Sequence, residues 1–436
     1  MVMDQVNAAR AEISATAAFQ RLNAFFDADS FCEIDAFAKS GDGFAEVVAG
    51  FGTVDGMPVY AFAQNTDFCG GAMSKAQSAK LKKLYKLALK TGAPVVGFYD
   101  SVGGRLAQGV ELLAGCGEVL NLTAKLSGAV PQVSVVTGTC LGTNALAAVN
   151  ADFVLMTEDA QLSLNLTGQD ADAAANEKNG VATLVVRDAA EAVEKARELM
   201  GYLPSNNLTP APEAFEEQPT PDHNCIVSKT VDGGYKFKLA DKFGAAARIR
   251  LARMGGSVIG VVRTVGKKLD AQSAEKVAGF VRFCDAFSLP VVSFVDCDGF
   301  EELASAKKLT SAYAEATTVK ISVVVGKAIG AAYIALAGTG ANADVVYAFP
   351  NAVISPVSVE AAAFIMAPDQ MKVPVAEQEG AAMAFAQEAL SAFNAAQNGY
   401  VDGIVEETEL RKALLSALDM MAGKRVPTVA KKHSTV

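Results

Sequence analysis

The sequence predicts a layered α/β protein built from two related halves, and three features predict it. The first is an internal repeat. Residues 133–144 read Val-Ser-Val-Val-Thr-Gly-Thr-Cys-Leu-Gly-Thr-Asn, and residues 321–332 read Ile-Ser-Val-Val-Val-Gly-Lys-Ala-Ile-Gly-Ala-Ala. This aligns Ser134 with Ser322, Gly138 with Gly326 and Gly142 with Gly330, an offset of 322 − 134 = 188 residues. Such a period is too long for a solenoid and fits a duplicated domain. The echo extends upstream, where Pro94–Asp100 matches Pro290–Asp296, and downstream, where Ala151-Asp-Phe-Val matches Ala343-Asp-Val-Val. The second feature is a rhythm of amphipathic helix, short apolar strand, glycine turn and helix, which recurs in both halves and implies buried strands. The third is a proline-rich break between Thr209 and Pro221, which reads as a stiff linker. A site formed where the two related halves meet is expected.

Residues 4–28 are expected to form an amphipathic helix with Leu22, Phe25 and Phe26 on its apolar side. Residues 43–63 alternate and turn at Asp55-Gly56, a hairpin signal. From Ser74 to Lys90, Leu81, Leu84 and Leu87 recur at helical spacing with lysines opposite them. Gly92-Ala-Pro ends that helix, and Val95–Tyr99 is a short apolar strand. After the linker, Gly255-Gly-Ser-Val-Ile-Gly260 restarts the pattern of Gly56-Met-Pro-Val-Tyr60, and a helix is expected over 304–316. The domains are therefore bounded at 1–215 and 216–436.

Composition narrows the function. A chain of 436 residues can bury two cores. The hydrophobic fraction is 51%, but no run of 18 apolar residues occurs, so direct membrane insertion is not expected. The first residues have neither a basic start nor an apolar core, unlike a secretory signal. Seven cysteines, an odd number in apolar surroundings, suit a reducing cytoplasm. A net charge of −10 disfavours a nucleic-acid partner. Lys424-Arg425 and Lys431-Lys432 make only the tail basic.

Two histidines occur, His223 in the linker and His433 in the tail. That nearly excludes a Ser-His-Asp triad, a Cys-His pair or a histidine metal site, and no metal is expected. No Cys-x-x-Cys spacing or phosphate-binding P-loop is present. Asp100 and Asp296 end strands, where capping of the next turn is at least as good a reading as catalysis. What remains is glycine directly after short strands: Gly103-Gly104 and Gly142-Thr143-Asn144, then Gly299 and Gly330-Ala331-Ala332. Small residues at the mouth of a helix let a ligand carbonyl reach backbone N–H groups, and two such groups stabilise an oxyanion without any side chain. Enolate chemistry on a thioester fits a chain so poor in histidine; plain helix–sheet packing is the alternative use of the same glycines.

The motifs resemble a known family. Gly50-Phe-Gly-Thr-Val-Asp-Gly-Met-Pro-Val-Tyr60, Ala88-Leu-Lys-Thr-Gly-Ala-Pro-Val-Val-Gly97 and Ser101-Val-Gly-Gly-Arg-Leu-Ala-Gln-Gly109 are close to the wording of carboxyltransferase subunits of biotin-dependent acyl-CoA carboxylases and decarboxylases, a branch of the crotonase superfamily. So are Tyr202-Leu-Pro-Ser-Asn-Asn207, Glu275–Phe287, Tyr313-Ala-Glu-Ala-Thr317 and Gly399-Tyr-Val-Asp-Gly-Ile404. The resemblance implies two duplicated crotonase-like domains, each a twisted sheet packed with helices, with an acyl-CoA side on 1–215 and a biotin side on 216–436. It implies a dimer or a trimer of dimers, an active site shared between subunits, biotin on a separate carrier protein, and a coenzyme A thioester as substrate. Cys140-Leu-Gly-Thr-Asn144 matches the family's thioester hole, which gives that role to Gly142 and Thr143. Lys327-Ala-Ile-Gly-Ala-Ala-Tyr333 matches the biotin-side hole, which gives it to Gly330, Ala331 and Ala332. Ser101, Gly103, Gly104 and Arg105 border the coenzyme A site, and Ile334, beside Tyr333, matches a position lining the acyl pocket.

The pattern also departs from the family. After Asp296 the chain reads Cys297-Asp-Gly-Phe-Glu-Glu and goes almost directly to the next helix, where the family has a longer loop. Ile354-Ser-Pro-Val-Ser-Val-Glu360 lacks two expected glycines, and Gln169–Glu177 replaces a glycine-rich segment expected near Gly168. Val102 and Thr143 stand where glycine is expected. The leading expectation is transfer of a carboxyl group between a short-chain acyl-CoA, methylmalonyl-CoA or propionyl-CoA, and biotin, through a thioester enolate and a ureido anion. A degenerate, non-catalytic paralogue that assembles with an active carboxyltransferase subunit is the alternative. A third reading, an acyl-CoA hydrolase or isomerase without biotin, would need an acid or base, for which Glu111, Asp298 and Glu360 are the available carboxylates.

Overall fold

A computed structural model describes residues 2–41, 43–165, 170–220 and 224–427. Gly168, Gln169, His223, Lys431, Lys432 and His433 lie outside the described residues. The chain divides into two units, Met1–Pro212 and Glu213–Val436. The boundary falls three residues before the expected one because the Ala214 N–H already donates to Gly256 O at 3.0 Å, tying this stretch to the second unit.

Unit 1 begins with two helices, α1 (Val2–Ser14) and α2 (Ala17–Phe25), rather than the single one expected over 4–28. The break is at Thr16, whose extended backbone and hydroxyl cap Phe19 N–H at 3.3 Å. Threonine gains more as an N-cap than inside a helix, where its side chain competes with the backbone. Leu22, Phe25 and Phe26 are buried as expected. Strands β1 (Val47–Val54) and β2 (Met57–Gln64) form the hairpin, with Asp55 at φ 49° and Gly56 at φ 80°. The Asp27 carboxylate accepts both turn N–H groups, at 3.0 and 2.9 Å, which holds its pKa well below the usual range.

Helix α3 (Lys75–Thr91) is capped by Ser74 and ends on left-handed Gly92. Then follow β3 (Val95–Ser101), α4 (Val110–Leu126), β4 (Gln132–Leu141), α5 (Thr143–Val149), β5 (Phe153–Thr157), β6 (Gln161–Ser163) and β7 (Leu184–Val186). The sheet runs β1-β2-β3-β4-β5-β7, parallel from β2 onward, with β6 paired to the end of β4.

Unit 2 repeats the scheme. It contains β8 (Lys236–Leu239), the hairpin β9 (Ala247–Met254) and β10 (Ser257–Thr264), α6 (Ala271–Ala286), β11 (Val291–Phe300), α7 (Leu303–Glu315), β12 (Lys320–Ile329), α8 (Ala331–Leu336), β13 (Val345–Ala348) and β14 (Val353–Ser355). Strands β10, β11, β12 and β13 are parallel neighbours, and β14 pairs with the end of β12. Helices α9 (Val359–Met366), α10 (Val375–Ala389) and α11 (Ala392–Gln397) are added after β14. The expected helix over 304–316 is α7, one residue earlier.

The duplication extends to single carboxylates. Asp152 accepts Gln132 N–H at 2.8 Å before β5, and Asp344 accepts Lys320 N–H at 2.8 Å before β13. Asp344 also pairs with Lys424 Nζ at 2.8 Å, whereas that N–H is the only partner of the Asp152 carboxylate among the described residues; burial pushes its carboxyl up to about 7 from 3.8. A carboxyl whose pKa is higher folded than unfolded stabilises fully below about pH 4 and loses that contribution as pH rises through about 7. Asp152→Asn keeps the acceptor and removes the titration. Its stability is expected to gain on wild type as pH rises from 4 to 7, by on the order of 4 kcal/mol at pH 7, read as a rising thermal midpoint relative to wild type. Parallel midpoint curves across that range would refute the assignment.

Candidate active site

Each unit carries one strand–turn–helix mouth, and the two mouths match closely. β4 feeds α5 through Gly142 (φ 67°, ψ −138°), and β12 feeds α8 through Gly330 (φ 55°, ψ −124°). These are conformations that L residues rarely adopt, so glycine is required at both. The Gly142 N–H donates to Ser163 O at 2.9 Å, and the Gly330 N–H to Ser355 O at 2.7 Å. Both glycines therefore form the turn with their own N–H groups already engaged, which corrects the expectation that Gly142 and Gly330 donate to a ligand. The next N–H groups have no acceptor among the described residues: Thr143 and Asn144 in unit 1, Ala331 and Ala332 in unit 2. Thr143 is exposed, and its β-branch is turned so that Oγ1 meets Cys116 Sγ at 3.4 Å.

The loops opposite match as well. Gly103 (φ 118°) follows β3 and Gly299 (φ 116°) ends β11; Ser101 Oγ donates to Gly103 O at 3.1 Å and Cys297 Sγ to Gly299 O at 3.3 Å. Met73 N–H donates to Gly103 O and Arg105 N–H to Met73 O, which leaves the Gly104 N–H between them without an acceptor among the described residues. Gly104 was expected only to border the ligand. The structure makes it a second candidate donor, on the loop that Asn144, the neighbour of Thr143, reaches through Gly103 O at 3.0 Å.

Three further expectations change. Ser101 is 1% exposed, and its hydroxyl is held by Gly103 and Asn144, so it shapes the loop rather than touching a ligand. Arg105 turns inward: Nη1 donates to Glu46 Oε1 at 2.9 Å and to Ser40 Oγ at 2.8 Å. Glu46 is fully buried and also accepts from Ser74 Oγ at 2.5 Å. A buried carboxylate needs that counter-charge, so Arg105 is committed to it. The signal was in the sequence as Glu46 at the head of an apolar strand. Tyr333 and Ile334 diverge: Ile334 is exposed, whereas Tyr333 donates to Tyr400 O at 3.1 Å and lines a cavity of about 310 Å³ with Ile354, Leu390 and Asn394.

The aligned Gly138 and Gly326 serve neither ligand nor turn. The β3–β4 register passes from Tyr99↔Val136 to Ser101↔Cys140, and β11–β12 from Val295↔Val324 to Cys297↔Ala328. A three-residue bulge therefore faces one aspartate in each unit. The Asp296 carboxylate accepts Lys327 N–H at 2.9 Å, and the Asp100 carboxylate accepts Thr139 N–H. Each fills the space where a glycine Cβ would stand. Burial pushes the Asp100 carboxyl up, opposed by Arg21 and by Thr139. Both aspartates clamp the bulge of the neighbouring strand.

Of the carboxylates considered as acid or base, Glu111 is exposed on α4 and pairs with Lys75 at 3.3 Å. Asp298 and Glu360 come together with Lys268 and Lys327 around a cavity of about 260 Å³, where Lys327 Nζ lies 2.6 Å from Asp298 Oδ1. That hydrogen bond raises the Lys327 pKa, so the ammonium keeps its proton and has no lone pair to act as a base. Among the described residues no group of three or more His, Cys, Asp or Glu could hold a metal, and no helix is long and apolar enough to cross a membrane.

Comparison with known proteins places this geometry. The family described as Carboxyl transferase domain matches residues 14–436. Methylmalonyl-CoA decarboxylase subunit alpha of Veillonella parvula is 32% identical, over 96% of this chain and 92% of that one. The methylmalonyl-CoA carboxyltransferase 12S subunit of Propionibacterium freudenreichii subsp. shermanii is 32% identical, over 95% of this chain and 90% of its own. The solved structure of transcarboxylase 12S, described as a hexamer assembly with hydrolysed methylmalonyl-CoA bound, superposes with a TM-score of 0.92 at 29% identity, covering 99% of this chain and 98% of that one.

Proposed function

The chain belongs to the carboxyl transferase domain family, carries its crotonase-like fold twice, and is of the methylmalonyl/propionyl-CoA type; from that premise we propose that its two mouths divide the reaction, a coenzyme A thioester at unit 1 and biotin at unit 2. One observation carries the division: each unit presents a positive-φ glycine turn followed by helix N–H groups that no acceptor among the described residues uses.

At unit 1 the Gly104 and Thr143 N–H groups hold the thioester oxygen of a methylmalonyl-type substrate. When the bond from Cα to the carboxylate breaks, its electron pair moves into the thioester carbonyl, and those two donors meet the negative charge on oxygen. In the reverse direction the same donors stabilise the enolate that attacks the incoming carboxyl carbon. No side-chain base is needed for decarboxylation, in keeping with the committed pairs of Arg105 and Lys327.

Biotin, delivered on a separate carrier protein, would supply a ureido nitrogen that exchanges its proton for the carboxyl group, the proton passing to Cα of the enolate and, in the reverse direction, back from Cα to nitrogen. The chemistry of unit 2 fits it: the Ala331 and Ala332 N–H groups suit a ureido carbonyl oxygen, and both side chains are small enough to admit it. Assembly with further copies of the chain or with a related subunit belongs to the same reading, as do coenzyme A as the carrier of the acyl group and a cytoplasmic setting.

A second reading, the non-catalytic paralogue, draws on the connection from β11 to α7, which is only Glu301-Glu302. Mass-spectrometric assay of the purified chain with methylmalonyl-CoA, with and without biotin, separates the two. Biotin-dependent propionyl-CoA is expected; acyl-CoA binding without turnover would transfer the case to the paralogue.

A further inference from the structure

We propose that Asn144 is a positioning residue of the unit 1 mouth, which grips and polarises the peptide group that presents the Gly104 N–H. The proposal rests on the thioester reading of that mouth.

Asn144 is the second residue of α5 and is 1% exposed. Its Nδ2 donates to Gly103 O at 3.0 Å and to Ser101 Oγ at 2.8 Å. The orientation of the amide follows from chemistry: a carbonyl oxygen only accepts, so the nitrogen must face Gly103 O. The other end of the amide, Oδ1, is then buried with no hydrogen-bond partner among the described residues. A position chosen for packing alone would carry an apolar residue, as the same place does in unit 2, where Ala332 stands. An orphaned buried carbonyl is accepted here for the sake of the Nδ2 contacts.

What those contacts hold is one peptide plane. Gly103 C=O and Gly104 N–H belong to the same peptide group and point in opposite directions. Gly103 O receives three donors: Asn144 Nδ2, Ser101 Oγ at 3.1 Å and Met73 N–H at 2.8 Å. Donors on the carbonyl withdraw density from the peptide and make its N–H a stronger donor, the cooperative effect of hydrogen-bond chains at low dielectric. They also fix that N–H in direction, and a preorganised donor stabilises developing charge without reorganising. Gly103 at φ 118° is a freely turning glycine otherwise. The backbone N–H groups of Thr143 and Asn144 lie on the other side of the mouth, so one residue joins both walls. In unit 2 a thiol, Cys297, replaces the Ser101 hydroxyl and no side-chain amide is present. The reinforcement therefore belongs to unit 1.

The test is isotope-edited infrared spectroscopy of propionyl-CoA carrying ¹³C at the thioester carbonyl, bound to the full chain. In the wild type the carbonyl band is expected to move to lower wavenumber. Asn144→Ala should recover most of that displacement toward the free-ligand position and lower kcat by about ten- to thirty-fold with KM within about two-fold, the signature of an interaction realised in the transition state. Asn144→Ala copies Ala332, so the site tolerates its volume; Ser101→Ala removes another donor from the same oxygen and should give a smaller change in the same direction. A purely structural role would lower the thermal midpoint and leave the band where the wild type puts it, and that result overturns the proposal. A wild-type band that does not move on binding overturns the thioester reading of this mouth, and the proposal with it.

Discussion

Thr143→Pro is expected to slow carboxyl transfer by about 10²- to 10³-fold while leaving the fold and acyl-CoA binding close to wild type. Thr143 is the first residue of α5, the one helical position at which proline is favoured, because its missing N–H would have had no partner within the helix and its fixed φ already suits the turn. The preceding residue is Gly142 at ψ −138°, outside the helical region that proline disfavours in its neighbour. The substitution thus deletes one N–H and little else. The Thr143 hydroxyl contact with Cys116 is lost as well, and Thr143→Val, which removes the hydroxyl but keeps the N–H, controls for it. Ala331→Pro is the same experiment at the first residue of α8. If Thr143→Pro abolishes thioester chemistry and Ala331→Pro abolishes only the biotin-dependent step, the two mouths are divided as proposed. Single-turnover rates with methylmalonyl-CoA, measured beside the dissociation constant for propionyl-CoA, decide it; unchanged turnover in Thr143→Pro would remove that N–H from the mechanism.

Much of this architecture was legible because it is carried by local chemistry. The hairpin at Asp55-Gly56, the Ser74 cap with Gly92 at the other end of α3, and the duplicated glycine turns each depend on neighbours in sequence. What could not be read depends on register or on distant partners. Gly138 and Gly326 were visible as repeats, but their reason is an aspartate on the next strand, reached only through the bulges in β4 and β12. Arg105 resembled a ligand contact, and only the fold brings Glu46 from 59 residues away to claim it. Gly142 and Gly330 were placed correctly at the mouths but given the wrong task, because their acceptors, Ser163 and Ser355, arrive on short strands with no sequence signal of their own. The single helix expected over 4–28 failed for a smaller reason: one threonine does better as a cap than in mid-helix.

Gly138→Ala should strongly destabilise unit 1. Its Cβ would stand inside 3.0 Å of the Asp100 carboxylate, which occupies the hollow of the β4 bulge. Asp100 cannot simply swing away. Its backbone is in β3, its N–H is held by Gln64 Oε1 at 3.0 Å, and its carboxylate anchors Thr139 N–H. Displacing the carboxylate strands a half-buried carboxyl and an N–H together, so overpacking and loss of a half-buried hydrogen bond add. A cost of about 3 kcal/mol or more follows, roughly 6–12 °C in thermal midpoint for a unit of this size. The double variant Asp100→Ala/Gly138→Ala relieves the clash and should recover part of the loss, so the two changes are less than additive. The equivalent pair, Asp296 with Gly326, should behave alike in unit 2. Since the bulge sets where β4 ends, and β4 ends at Leu141 just before Gly142, the strain is transmitted to the mouth. Thioester turnover at temperatures well below the midpoint is therefore expected to fall in Gly138→Ala as well. A variant that keeps both its midpoint and its turnover would show that the aspartate does not clamp the bulge.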